Sequence, residues 1–94
     1  MNVTLLEKLE KLVNAEEINL TQEEVRRALG APEKNAFFAS QLSDILTDLN
    51  AGSAMCALGR LHEEGFCGLS KDMGKAYQYY KSSVECNNDY GRAF

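Results

Sequence analysis

The sequence predicts an all-α fold. Apolar residues recur at steps of three and four through most of the chain, a helix-starting capping box is legible at Thr21 and Glu24, and no segment alternates apolar with polar residues over a strand's length. Leu5, Leu6, Leu9, Leu12 and Val13 fall on one stripe with Lys and Glu between them, which predicts an amphipathic helix from near Val3 to Asn14. Thr21 and Glu24 open a second, shorter helix whose inner side is Val25, Ala28 and Leu29. Gly30 is placed to close it in the left-handed conformation.

Pro32 suits the first turn of a third helix, where a missing N–H costs nothing, and Phe38, Leu42, Ile45 and Leu49 extend that helix to about Leu49. The remainder predicts a helix from about Gly52 to Glu64, a glycine-rich turn from Gly65 to Lys71, a helix from Asp72 to Glu85 and a restart at Tyr90. A helix start at Asn50 overlays one at Asn87, an offset of 37 residues, which is a helical-repeat period.

A chain of 94 residues is one domain's worth, residues 1–94, with room for a single core. Its apolar content of 45% with one proline is globular composition. Fourteen acids against ten bases give a net charge of -4, which disfavours a phosphate backbone or an anionic membrane as partner. The charge is uneven. Residues 1–50 hold nine acids and five bases, residues 51–94 five of each, and six of the seven glycines lie in the second half.

Cys56, Cys67 and Cys86 are odd in number and widely spaced, so neither a disulfide framework nor a CxxC motif is present, and a reducing compartment is expected. The start lacks a basic n-region and an unbroken apolar run, so neither a signal peptide nor a membrane span is expected, and the predicted location is cytoplasmic.

The stretch from Ala54 to Glu85 resembles one complete Sel-one-like repeat, a relative of the tetratricopeptide repeat. Ala54, Leu58, Gly59, Gly65, Gly68, Leu69, Asp72, Lys75, Ala76, Tyr79 and Tyr80 fall on the family pattern, and His62 stands at its usual tyrosine. The turn is one residue longer than usual because Phe66 and Cys67 separate Gly65 from Gly68. Ser83 and Val84 replace the customary alanine pair. The resemblance implies helical hairpins packed as a short α-solenoid, with residues 1–50 as acidic N-terminal capping helices and residues 51–94 as one repeat and the first turn of the next.

Several of these residues have independent physical reasons. Gly59 in mid-helix costs about 1 kcal/mol against alanine, which is explained if it admits a closely packed neighbour. Asp72 precedes a helix, where its carboxylate can cap free N–H groups. Tyr79 and Tyr80 offer large contact area with a polar tip.

Enzymatic readings are weak. Cys56 and His62 are six positions apart, about 240° around a helix, so they do not pair as nucleophile and base, and no C-x₂₋₄-C pair seeds a zinc site. The adjacent pairs Glu16–Glu17, Glu23–Glu24 and Glu63–Glu64 read as solvated faces, and no phosphate-binding or nucleophile-elbow motif occurs. Catalytic residues, cofactors and metals are therefore expected to be none. The segment from Leu20 to Pro32 has a short likeness to the first helix of a helix-turn-helix. It breaks at Arg26, and the next helix lacks the bases and amides of a reading head.

By the resemblance, the chain is expected to be a non-enzymatic protein–protein interaction module, an adaptor or sequestering protein. Its groove would be formed by Ser53, Cys56, Arg60, Glu63 and Glu64, offset from a packing face of Ala54, Leu58, Leu61 and His62. The alternative is a small acidic inhibitor or immunity-type protein that blocks a basic site through Glu16, Glu17, Glu23 and Glu24. A solenoid repeat leaves an apolar edge when it stands alone, so self-association is expected around Tyr77, Tyr80, Tyr90 and Phe94.

Overall fold

The computed structural model describes residues 5–29 and 32–85. It holds five helices in the order α1 (Leu5–Val13), α2 (Gln22–Leu29), α3 (Pro32–Ile45), α4 (Ala51–Glu64) and α5 (Met73–Glu85), and no strand among the described residues. Expectations at Gly30, Cys86, Tyr90 and Phe94 lie outside the described residues.

Local chemistry explains most boundaries. The α1 helix ends because Ala15 adopts φ 62, with the Ala15 N–H donating to the Leu12 carbonyl at 2.9 Å and the Glu16 N–H to the Lys11 carbonyl at 2.9 Å. That pair of bonds is the Schellman arrangement, here built on a residue that pays a steric cost for the left-handed conformation. Thr21 caps α2 as expected, its Oγ1 accepting from the Glu24 N–H at 3.2 Å. Asp72 caps α5, its Oδ1 accepting from the Lys75 N–H at 3.0 Å. Gly65 closes α4 at φ 74, its N–H donating to the Leu61 carbonyl at 2.8 Å.

One boundary differs from the expectation. The third helix stops at Ile45, not Leu49. The start of α4 accounts for this: Asn50 Oδ1 accepts from the Ser53 N–H at 2.8 Å, Ser53 Oγ accepts from the Asn50 N–H at 3.1 Å, and the same hydroxyl donates to the Asp48 carbonyl at 2.5 Å. This capping box commits residues 48–50 to the next helix. Leu49 continues the apolar period of α3 but sits in the connection, 38% exposed.

The centre of the molecule is α4. It pairs antiparallel with α5, receives α1 and α3 on its other sides, and α2 forms a hairpin with α3. Leu9, Leu42, Ile45 and Leu61 have at most 2% exposure and join these layers into one core. The α4–α5 crossing is close at Gly59, where an added Cβ would lie 2.5 Å from Tyr80 Cε1 and 3.2 Å from the Ala76 carbonyl oxygen. Ser83 Oγ donates to the Gly52 carbonyl at 2.9 Å at the far end of the same pair. A radius of gyration of 12.0 Å is that of a compact body; about 12 Å is usual for this length.

The two residues that lengthen the α4–α5 turn join it to the first half of the chain. The Phe66 ring packs on Phe38 of α3 at a centroid distance of 4.5 Å, and Cys67 Sγ donates weakly to the Ala28 carbonyl of α2 at 3.6 Å. Cys67 holds φ 61 to make this contact.

Candidate functional site

The expected groove residues lie along α4, and the structure separates them by environment. Ser53 and Cys56 are fully buried and present no surface to a partner. Ser53 is consumed by the capping box, and burial pushes the Cys56 thiol up to about 12, with Arg60 opposing the shift only in part. A thiol so placed stays protonated and unreactive near neutrality. The sequence expectation of a groove at these two positions is therefore corrected: α4 is covered by α5 on one side and by α1 and α3 on others.

Arg60, Glu63 and Glu64 do come together. The Arg60 guanidinium forms a salt bridge with Glu63, lies 3.7 Å from Glu64 Oε1, donates to Gln41 Oε1 of α3 at 2.7 Å and sits 5.1 Å from the Phe38 ring centroid. Glu63 also accepts from the Tyr80 hydroxyl at 3.2 Å. Burial, then the neighbouring Glu63 charge, pushes the Tyr80 phenol up. The cluster ties α3, α4 and α5 together, and its members face one another; Glu64, with 44% of its side chain accessible, is the one most open to solvent.

Of the expected self-association edge, Tyr77 is 68% exposed and Tyr80 is buried against Gly59. Tyr80 is thus a core residue of the hairpin. Met73, one turn before Tyr77 on α5, is 56% exposed, and Lys81, one turn after it, is exposed as well. These three form a single stripe on the outside of α5. Phe37 on α3 is 77% exposed. The Phe37–Phe38 pair carried the signal for this, because two adjacent helical residues point about 100° apart and only one can enter the core.

His62 is buried and stacks on Tyr79 at 5.5 Å, and its Nδ1 has no hydrogen-bond partner. Desolvation first, then Lys75, holds its pKa below the ordinary histidine value, with Asp72 opposing. The burial and the stack on Tyr79 favour the neutral imidazole. Among the described residues no group of three or more His, Cys, Asp or Glu side chains is arranged to hold a metal ion. No described helix is long and apolar enough to cross a membrane.

A second surface feature was not legible beforehand. An open cleft of about 640 Å³ lies where the α1–α2 connection meets the start of α4, lined by Leu12, Ile18 and Leu49 and by Glu16 and Glu17. Both carboxylates are exposed, and among the described residues no basic side chain lines the cleft.

Compared with protein-family models, with curated proteins and with solved structures, the chain matches none of them.

Proposed function

We propose that this chain is a non-enzymatic protein–protein interaction module of the helical-repeat type, and that its working surface is the outer face of α5 rather than a groove on α4. The observation that carries this reading is the pair Met73 and Tyr77, two large apolar side chains on successive turns, each more than half exposed on a helix whose other face is closed against α4. Tyrosine and methionine are residue types that interfaces favour. The Sel-one-like pattern over Ala54 to Glu85 supports the same class, and the high Cys56 pKa and packed His62 offer no support to covalent catalysis.

Affinity capture from cell extract tests it by comparing the native chain with Met73→Asp and Tyr77→Asp. Both variants should lose the captured protein while keeping the native far-ultraviolet spectrum. Retention of the same protein by both variants would overturn the α5 assignment.

A second reading, the acidic inhibitor, draws on one specific observation: residues 14–24 contain four glutamates and no base, and Glu16, Glu17 and Glu23 are exposed. Capture that disappears with rising salt and with reversal of Glu16 and Glu17, while surviving Tyr77→Asp, would favour it.

A further inference from the structure

The last turn of α5 finishes beside the cleft described above. Ser83 Oγ donates to the Gly52 carbonyl at 2.9 Å, and the two residues immediately before Gly52, Asn50 and Ala51, line the cleft. The nine residues that follow α5, 86–94, are therefore tethered at the rim of a cavity of about 640 Å³, within the range of about 300–1,000 Å³ usual for ligand pockets.

Their sequence divides into a connection and a ligand. Cys86, Asn87, Asn88 and Asp89 are small or polar, as in turns and links. Extended, they reach about 13 Å, more than the roughly 10 Å diameter of the α4 helix whose end they would pass. Tyr90, Arg92 and Phe94 then alternate with Gly91 and Ala93, so in extended backbone the two aromatic rings and the guanidinium share one side.

The cleft offers what that side requires. Leu12, Ile18 and Leu49 give it apolar surface, and Leu49 is left 38% exposed by the early end of α3. Glu16 and Glu17 are exposed beside them, and neither forms an ion pair among the described residues. Flanking charges do not cancel the two carboxylates: Lys8 is bonded to Glu24, and exposed Lys11 is matched by exposed Asp48 next to Leu49.

We propose that residues 90–94 dock in this cleft of their own chain as an extended strand, with Tyr90 and Phe94 on Leu12, Ile18 and Leu49 and with Arg92 against Glu16 and Glu17. Asp89, the one acid in 86–94, then falls in the connection, beside the positive end of α4. The helical restart expected at Tyr90 would also bring Tyr90 and Phe94 together, but it turns Arg92 about 200° from Tyr90 and away from the carboxylates. So short a tether gives an effective concentration of about millimolar, and an outside segment of the same aromatic and basic pattern must displace it to bind. This docking is independent of the outer α5 face, and either can stand without the other.

Nuclear magnetic resonance of the full chain tests it. The native chain should show contacts from the Tyr90 and Phe94 ring protons to the methyl groups of Leu12, Ile18 and Leu49. A mixture of labelled and unlabelled chain should show none between copies. Phe94→Ser should remove its contacts and shift the amide signals of residues 15–19 and 49–51. Signals of residues 73–81 should stay in place, which reports that the variant remains folded. Arg92→Glu should lower the docked population about fivefold, the scale of one exposed ion pair, and Glu16→Lys with Glu17→Lys in the same chain should restore it.

Absence of the ring-to-methyl contacts would overturn the proposal, as would signals of residues 15–19 and 49–51 that ignore Phe94→Ser. Contacts found only between copies would assign the cleft to a second molecule and overturn it as well. Docking that follows Phe94 but is unmoved by Arg92→Glu would reject the extended strand and its pairing of Arg92 with the glutamates.

Discussion

The close crossing of Gly59 and Tyr80 gives the sharpest stability prediction. In an unconstrained helix, Gly59→Ala would gain about 1 kcal/mol from backbone entropy. Here the new Cβ would stand 2.5 Å and 2.7 Å from two carbons of the Tyr80 ring and 3.2 Å from the Ala76 carbonyl oxygen. The ring is 7% exposed, and its hydroxyl is bonded to Glu63, so it cannot swing aside freely.

Overpacking of this kind costs about 1–3 kcal/mol, and displacing the hydroxyl forfeits about 1 kcal/mol more. Steric cost exceeds propensity gain, and the variant should lose about 1–3 kcal/mol, a melting temperature lower by about 5–15 °C. Urea denaturation measures it, and a double-mutant cycle identifies the cause. Once Tyr80→Ala has removed the ring, the same glycine substitution should become neutral or stabilising. A stabilising Gly59→Ala in the native background would refute the close crossing.

Ala15→Gly should stabilise the protein by about 0.5–1 kcal/mol in the same assay, because Ala15 holds a left-handed φ of 62 that glycine adopts without strain. Cys56 should resist a thiol reagent in the native state and react at the rate of global opening, whereas a rapid native reaction would contradict its burial. The pH dependence follows from two depressed pKa values. Neutral His62 is favoured by the fold, so its contribution is complete above its ordinary value of 6.5 and is lost as pH falls below it; His62→Phe should remove that part of the slope. Glu24, held down chiefly by its hydrogen bond from Lys8, contributes above its ordinary 4.5 and loses that contribution at lower pH, so Glu24→Gln should flatten the acid limb.

Local chemistry was legible in the sequence; the choice of neighbours was not. Thr21 and Asp72 cap the helices expected of them because a cap depends only on residues three positions away. Gly59 announced a close crossing because its propensity cost requires a compensating contact. Leu49 misled because it keeps the apolar period of α3, and the competing claim of the Asn50–Ser53 cap outranks periodicity there.

The groove expectation failed at Ser53 and Cys56 for a tertiary reason. A helix that lines an open surface in a longer array is here enclosed by α1 and α3, and nothing within residues 51–64 encodes that enclosure. Phe66 and Cys67 show the reverse. They stood out as departures from the repeat pattern, and their contacts with Phe38 and Ala28 add the turn to the packing between the two halves of the chain.

The central claim, that recognition occurs on the outside of α5 and not along α4, is tested most directly by photocrosslinking in cells. A photoreactive side chain would be placed singly at Tyr77 and at Cys56. The account predicts crosslinks to another polypeptide from position 77 and none from position 56, which lies inside the core. Crosslinks from position 56 in a protein that remains folded, with none from position 77, would contradict it.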